Sequence, residues 1–188
     1  VDGIDAIEIN ISCPNLEDNG KAFAMSPENT FQVINKLRNF TSHPIWAKLT
    51  PNTGEIIEVA QSAEDAGSDA IVVANTLLAM KIDITTKKPT LGNVMGGLSG
   101  PVIKPVALRM VYQCSKIVKI PIIGCGGISN ADDVVEFFLA GASATQVGTA
   151  TFRNPSIMLS IIDNLKKYCR ENNINNISDI VGLVDDKN

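Results

Sequence analysis

The sequence predicts an α/β fold with a parallel sheet, because strand-like and helix-like segments alternate along the chain. Five strand segments start near residues 6, 45, 70, 120 and 144, and a helical pattern follows each of them. The segment 70–74 is continuously apolar, which is typical of a strand covered on both faces. Unbroken alternation of this kind predicts parallel strands joined by right-handed crossovers.

The first unit combines an alternating strand with a polar loop. The run 6–11 is rich in β-branched residues and leads into Ser-Cys-Pro-Asn, where Pro14 ends the strand because it has no N–H to donate. Ser26 is the expected N-cap of the next helix. The apolar residues of that helix recur at helical spacing and form its expected buried face: Phe31, Ile34, Leu37 and Phe40.

The later units are delimited by prolines, glycines and small polar residues, which mark turns and helix ends. The predicted elements of the middle of the chain are a strand at 45–49, a helix capped by Asn52 or Thr53 and ended by Gly67, a strand at 70–74 and a short hairpin within 77–97. Those that follow are a helix near 102–118, a strand at 121–124, a helix from Asn130 to Gly141, a strand at 144–148, a helix over about 155–172 and a short helix near 177–184. The polar tail, 185–188, is expected to be disordered.

The number of units predicts part of a barrel. Five strands cannot close a (β/α)8 barrel, which takes ~250 residues. The two long units carry their extra residues in strand-to-helix loops, the side on which barrels build active sites. We therefore predict that residues 1–188 are one partial TIM-barrel domain supplying about the last five strand–helix units. The chain begins with Val1 directly before a strand, so we expect it to be the downstream part of a longer protein. An open doubly wound sheet is the competing topology.

Composition argues against several classes of function. The formal net charge of −4 gives no basic footprint for nucleic acid or an anionic membrane. No apolar run approaches the ~18 residues of a membrane span. The N-terminus, Val1-Asp2-Gly3, does not resemble a signal peptide, so we expect reduced thiols in a cytoplasmic protein. The four cysteines form no closely spaced pair, and His43 is the only histidine, so neither a disulfide framework nor a metal site is expected.

Chemically distinctive residues follow each predicted strand. In a parallel α/β fold these positions share one rim, where ligands bind. In chain order they are Asn10 and Cys13, Lys48, Asn75 and Thr76, Gly124 to Gly127, and Gly148 and Thr149. We therefore expect one ligand site at this rim.

The last two strand ends carry a phosphate-binding signal. Gly126 and Gly127 allow backbone amides to approach an oxyanion, and the helix that starts at Asn130 points its N-terminus at the same place. Gly148 and Thr149 follow the neighbouring strand, and barrels commonly bind phosphate between their last two strands. The alternative is that these glycines only make tight turns.

The first strand ends indicate redox or acid–base chemistry. Lys48 would place a fixed positive charge beside an electron-accepting ring, unless it is a surface lysine that snorkels to solvent. Cys13 would act as a general base, unless it is an inert buried thiol. The carboxamides of Asn10, Asn15 and Asn75 each offer a donor and an acceptor, which suits a flat ring with alternating C=O and N–H groups.

At these residues the chain resembles the class 1 dihydroorotate dehydrogenases, the flavin enzymes of pyrimidine synthesis. The matching stretches are Asn-Ile-Ser-Cys-Pro-Asn (10–15), Ala-Lys-Leu-Thr-Pro (47–51), Asn-Thr (75–76), Gly-Gly-Leu-Ser-Gly-Pro-Val-Ile-Lys-Pro-Val-Ala-Leu (96–108), Ile-Ile-Gly-Cys-Gly-Gly-Ile (122–128) and Val-Gly-Thr-Ala (147–150). The resemblance to class 1 rests on Cys13, where the membrane-bound class has Ser. The Gly-Gly-Leu-Ser-Gly-Pro form resembles subclass 1B, which uses NAD through a partner subunit carrying FAD and a 2Fe–2S cluster.

The resemblance implies a role for each matching residue. Cys13 would take the C5 proton of dihydroorotate while C6 delivers hydride to FMN N5, and Lys48 would face the N1/O2 edge of the flavin. The implied FMN contacts are Asn10, Lys48, Ala74, Gly100, Gly126, Gly127, Gly148 and Thr149. The implied pyrimidine contacts are Asn10, Asn15, Asn75 and Thr76. A homodimer is also implied, with an iron–sulfur flavoprotein as a further partner in subclass 1B.

Three other functions share part of this pattern. Family members carry about three further strand–helix units upstream, so the chain is also compatible with a non-catalytic half-barrel that only binds a flavin or a partner. Dihydropyrimidine dehydrogenase shares much of the pattern, but its catalytic Cys belongs to the loop at roughly residues 21–25, where this chain has Lys-Ala-Phe-Ala-Met. Dihydrouridine synthases are also FMN barrels with an Asn…Cys-Pro loop, but they handle tRNA and should show basic patches, whereas the charge balance here is acidic.

Overall fold

The computed structural model describes residues 3–13 and 22–185. Its strands, in chain order, are β1 (Ile7–Asn10), β2 (Ile45–Lys48), β3 (Ala70–Val73), β4 (Leu77–Met80), β5 (Ile82–Asp83), β6 (Lys88–Pro89), β7 (Met95–Leu98), β8 (Ile122–Cys125) and β9 (Ala144–Gln146). Its α-helices are α1 (Pro27–Arg38), α2 (Ile56–Asp65), α3 (Lys104–Ser115), α4 (Ala131–Leu139), α5 (Ala150–Arg153) and α6 (Ile157–Glu171). Short 3₁₀ turns occupy Phe23–Met25, Pro101–Ile103 and Ile177–Ile180.

Five strands form one parallel sheet in the order β1-β2-β3-β8-β9. Each main strand is followed by a helix, so the predicted strand–helix alternation is confirmed. Within the described residues, β1 and β9 are the edges of this sheet and neither has a second neighbour in it. The sheet is therefore a segment of a barrel wall rather than a closed barrel.

The helices cover only one face of the sheet. Ile45, Ala47, Ile71 and Val73 point to that face and share the main apolar core with residues of the helices. Alternate residues of β2, β3 and β8 form a separate small cluster that contains no helix residue: Trp46, Ala70, Val72, Ile123 and Cys125. Helices outside and a packed strand face inside are the arrangement of a barrel, whereas a doubly wound sheet carries helices on both faces. The barrel prediction is thus confirmed over the open alternative.

The insertion after β3 is a longer hairpin than the sequence indicates. β5 and β6 pair where the short hairpin is predicted, and β4 and β7 extend it with an antiparallel ladder from Leu77–Leu98 to Met80–Met95. The hairpin projects from the strand-to-helix side of the sheet. Its apolar side chains, including Leu78 and Ile84, are exposed.

Several predicted helix details are wrong. α2 begins at Ile56 without a side-chain cap, so neither Asn52 nor Thr53 caps it. Ser26 is the N-cap of α1 as predicted, but Phe31 is exposed, and Phe40 lies beyond the end of the helix at Arg38 and is exposed as well. The remaining predicted strand and helix positions agree within a few residues, and the short α5 was not predicted.

Residues 186–188 of the predicted tail lie outside the described residues. No helix in the described part of the chain is both long and apolar enough to cross a bilayer.

Candidate active site

A cavity of about 310 Å³ lies at the carboxyl ends of the main strands. Its volume is within the usual range for small-molecule sites, which is about 300–1,000 Å³. Most of the predicted site residues line it: Lys48, Ala74, Asn75, Thr76, Gly100, Gly126, Gly127, Gly148 and Thr149. Asn10 and Cys13 lie beside it, and Asn15 is outside the described residues.

Cys13 is connected to the cavity by carboxamides. The Asn10 Nδ2 atom donates to the Cys13 Sγ atom at 3.1 Å, and the Asn75 Nδ2 atom donates to Asn10 Oδ1 at 3.4 Å. Ser12 also joins this network, since its Oγ donates to Asn10 Oδ1 at 2.5 Å and accepts from Asn75 Nδ2. The exposed thiol is therefore held next to the cavity wall, and the alternative of an inert buried thiol does not apply.

The loop after β3 is tied down on both sides. The Asn75 amide donates to Leu49 O at 2.9 Å, and its side-chain Oδ1 accepts from the Thr76 amide at 2.7 Å. Asn52 donates to Thr76 O at 3.1 Å and accepts from the Leu78 amide at 2.7 Å. Asn52, which the sequence suggested as a helix cap, instead fixes the wall that presents Asn75.

Lys48 is turned inward rather than toward solvent. Its Nζ atom donates to Glu8 Oε1 at 2.9 Å and to Gln146 Oε1 at 3.3 Å, and its side chain is only 18% exposed. The neighbouring Cys125 thiol responds to this pair: burial raises the pKa of Cys125, the charge of Lys48 opposes the rise and that of Glu8 adds to it. Lys48 therefore supplies the expected positive charge at the cavity, but it is paired with the Glu8 carboxylate.

The glycines of the cavity fall into two kinds. A Cβ on Gly127 would lie 2.7 Å from the Lys104 backbone N, and one on Gly126 would lie 3.0 Å from Ala107 Cβ, so both glycines allow the loop to pack against α3. Both also have positive φ, +131° and +80° for Gly126 and Gly127 respectively. A Cβ on Gly100 or Gly148 would meet nothing within 4 Å. The tight-turn alternative therefore explains Gly126 and Gly127 in part, but not Gly148.

The N-terminus of α4 is already capped from within. Asn130 Oδ1 accepts from the Asp133 amide at 2.9 Å, and Asp133 Oδ2 accepts from the amides of Ser129 and Asn130 at 2.7 and 3.2 Å. Lys104 Nζ donates to Asp133 Oδ1 at 2.7 Å. The sequence predicted that this helix end would face a phosphate, but it offers fewer free amides than expected. By contrast, no described residue accepts a hydrogen bond from the Gly126 or Gly127 amide.

Sequence reasoning missed several polar residues of the site. Arg153 lines the cavity and has no carboxylate within ion-pair distance among the described residues. Ser99 and Asn154 also line it, while Glu8 and Gln146 hold Lys48 from behind. Arg153 carried a detectable signal, since it stands four residues after the Gly148–Thr149 strand end. Among the described residues, no group of His, Cys, Asp and Glu side chains is arranged as metal ligands.

Comparison with protein families identifies one matching model. The model described as dihydroorotate dehydrogenase matches residues 2–169. Similar curated proteins carry the name dihydroorotate dehydrogenase B (NAD(+)), catalytic subunit. The protein from Desulforamulus reducens is 52% identical over 181 residues, and the one from Halalkalibacterium halodurans is 50% identical over 182 residues. These alignments cover 96% and 97% of this chain but 60% of each relative.

A solved structure supports the fold. The ligand-free dihydroorotate dehydrogenase from Eimeria tenella superimposes with a TM-score of 0.77 at 23% identity. The superposition covers 95% of this chain and 55% of that protein. At this identity the likeness concerns the fold alone, and it agrees with a chain that contributes part of a (β/α)8 barrel.

Proposed function

We propose that this chain, which belongs to the dihydroorotate dehydrogenase family, is the part of an FMN-dependent dihydroorotate dehydrogenase that binds the flavin and the pyrimidine. The reaction would be the oxidation of dihydroorotate to orotate in the synthesis of UMP. The chain spans 60% of the length of the curated relatives it matches, so the activity is proposed for the protein that contains the complete barrel. The observation that carries the proposal is the hydrogen-bonded path from Cys13 through Asn10 and Asn75 to the cavity.

The cavity fits FMN by its chemistry. None of the described residues that line it carries a carboxylate, while Lys48 and Arg153 are both cations, so a dianionic phosphate meets no repulsion from this part of the wall. Gly100 and Gly148 have no side chain, and the space that a Cβ would fill at these two positions is open to the cavity. Apolar side chains of Ala74, Ile103, Ile128 and Ile157 are available to a flat ring. We assign the phosphate to the amides of Gly126, Gly127, Gly148 and Thr149 and to Arg153, and the ring to Lys48, Ala74 and Asn10.

Proton transfer is assigned to Cys13. Oxidation removes a proton from C5 and a hydride from C6, and FMN supplies the two-electron acceptor for the hydride. Cys13 Sγ accepts the C5 proton as general base, and Asn10 holds the sulfur in place through its Nδ2 donor. Asn75 and Thr76 bind the carbonyl and N–H groups of the pyrimidine from the cavity wall, and Asn15 remains a sequence-based expectation.

The proposed assembly includes a partner subunit. These proteins are called catalytic subunits of an NAD(+) enzyme, which supports a partner subunit for this protein as well. We propose that the partner carries FAD and a 2Fe–2S cluster and passes electrons to NAD. A homodimer of the flavin-binding chain and a cytoplasmic location complete the proposal.

An anaerobic titration tests the function. The protein that contains the complete barrel is mixed with FMN, separated from free flavin and titrated with dihydroorotate, with the Desulforamulus reducens relative treated in parallel. Retained yellow colour that dihydroorotate bleaches supports the proposal. Colour that never bleaches while the relative does would reduce the chain to a flavin-binding module. Bleaching by NADPH alone would point instead to the dihydropyrimidine or dihydrouridine reductases.

A further inference from the structure

Three side chains form a closed ring of hydrogen bonds behind the cavity. Lys48 Nζ donates to Glu8 Oε1 at 2.9 Å and to Gln146 Oε1 at 3.3 Å. Gln146 Nε2 in turn donates to Glu8 Oε2 at 2.5 Å. Both carboxylate oxygens and both amide atoms are thus engaged around one ammonium group, which fixes the position of Nζ.

Only one member of the ring faces the ligand. Lys48 lines the cavity, whereas Glu8 and Gln146 do not. The side chains of Lys48 and Glu8 are 18% and 28% exposed, so water screens their charges less than at an open surface. The electrostatic potential in the cavity is therefore set by the Lys48 ammonium together with the Glu8 carboxylate behind it.

We propose that Glu8 and Gln146 are positioning residues that set how much positive charge Lys48 presents to the cavity. Glu8 offsets the ammonium, and Gln146 keeps the two charged groups together by bonding to both. For a bound flavin, an inference that rests on the function proposed above, this pair controls the reduction potential, because a positive charge near the ring favours the reduced anion.

A built-in probe reports this charge without any flavin. Cys125 lies on the same cavity wall as Lys48, and its thiol responds to both charges: Lys48 lowers its pKa and Glu8 raises it, on top of the rise caused by burial. The reaction rate of a thiol at a given pH follows its thiolate fraction. Alkylation of Cys125 therefore measures the field that Lys48 and Glu8 create.

The test compares Glu8→Gln with Lys48→Met in the flavin-free chain. Iodoacetamide labelling is followed across pH, and mass spectrometry locates the labelled cysteine. We expect Glu8→Gln to accelerate labelling of Cys125 at a given pH and Lys48→Met to slow it. Glu58→Gln, which removes an exposed carboxylate from α2, should leave the profile unchanged. In a Gln146→Ala background, the effect of Glu8→Gln should shrink, since the carboxylate keeps its direct bond to Lys48 but loses the bond from Gln146 Nε2 that helps to hold it there.

The fully buried Cys114 guards against a misleading result. It becomes labelled only when the protein unfolds, so faster labelling of Cys125 with Cys114 protected reflects charge rather than unfolding. Equal profiles for Glu8→Gln and wild type, or shifts of the same sign for Glu8→Gln and Lys48→Met, would overturn the proposal.

A second measurement addresses the flavin. In FMN-loaded protein, the midpoint potential should rise in Glu8→Gln and fall in Lys48→Met. An unchanged potential in Glu8→Gln contradicts the inference. If the thiol profile shifts as expected but no FMN binds, the charge relationship is supported and only the proposed function fails.

Discussion

Gln146 and Glu8 are in direct contact although they belong to the two outermost strands of the sheet. The Gln146 Nε2 atom lies 2.5 Å from Glu8 Oε2, and three strands separate β9 from β1. In a flat sheet these strands would be about 19 Å apart, since neighbouring strands are spaced at about 4.8 Å. Two side chains of this length cannot bridge that distance. The contact therefore shows that the sheet curves strongly around its inner face.

This curvature explains why the strand ends form one site. Because β1 and β9 bend toward each other, residues at the ends of all five strands face a common volume. Cys13 follows β1 and Gly148 follows β9, and both belong to the same rim. A protein with this curvature can hold a flat ligand between its first and last units.

The first prediction concerns the general base. Replacing Cys13 with Ala should lower dihydroorotate oxidation by about 10²- to 10⁴-fold, the usual contribution of a positioned base. FMN binding should be unchanged, because Cys13 does not line the cavity. Stopped-flow reduction of the bound flavin measures the effect. Cys169→Ala, a partly exposed cysteine of α6, is the matched control, and a fully active Cys13→Ala protein would remove Cys13 from its role.

The second prediction separates phosphate binding from ring binding. Arg153→Gln should weaken FMN binding by roughly twofold to fivefold, as expected for an exposed ion pair. Riboflavin has no phosphate, so its affinity should not change. Fluorescence titrations of both ligands, with Arg170→Gln on α6 as the control, distinguish the cases. An equal loss for the two flavins would mean that Arg153 supports the cavity but does not bind phosphate.

The residues at the strand ends could be predicted from the sequence, but the hydrogen bonds that hold Lys48 in place could not. Strand ends are local features, so Lys48, Asn75 and Gly148 could be placed from the alternation of strands and helices alone. The partner of Lys48 could not, because Glu8 and Gln146 are 138 residues apart and meet only when the sheet curves. Taken by itself, Glu8 is an ordinary charged residue in an alternating strand.

Some predictions from local sequence patterns are wrong because tertiary contacts override the local preference. Asn52 has the residue type of a helix cap, but its side chain bonds to Thr76 O and the Leu78 amide in the next loop. Phe31 and Phe40 follow the spacing of a buried stripe, yet they are 39% and 79% exposed while Thr30 is fully buried. Thr30 satisfies its hydroxyl with Ser26 O at 2.8 Å, which allows a polar residue on the buried face.

The third prediction contrasts two glycines of the cavity. Gly127→Ala should destabilise the protein by about 2 kcal/mol or more, because the residue has φ of +80° and the new Cβ would lie 2.7 Å from the Lys104 backbone. Gly148→Ala should leave stability nearly unchanged, since its Cβ meets no atom within 4 Å, but it should weaken FMN binding by occupying the cavity. Denaturant unfolding and FMN titration measure the two effects. A destabilised Gly148→Ala protein that binds FMN normally would reverse the assignment.

The fourth prediction concerns the buried carboxylate at the start of α4. Burial opposes ionisation of Asp133, but hydrogen bonds from Lys104 and Ser129 outweigh it, so the pKa of Asp133 lies below its ordinary value of 3.8. Lys104 is the partner in this interaction, and its hydrogen bonds to Asp133 and Glu136 raise its own pKa. Asp133→Asn should therefore lower the free energy of unfolding at neutral pH by about 1–3 kcal/mol.

The sign of the pH dependence follows from the lowered pKa. A carboxylate with a depressed pKa in the folded state contributes its full stabilisation above its unfolded value and loses it as the pH falls through the folded value. Wild type should therefore lose stability on acidification below the ordinary aspartate pKa, and Asp133→Asn should lose less over the same interval. Urea unfolding at neutral and acidic pH measures the difference. Asp132→Asn, at the exposed neighbouring position in the same turn, is the control and should follow wild type. Parallel pH profiles for Asp133→Asn and wild type would show that this carboxylate does not anchor the loop between β8 and α4.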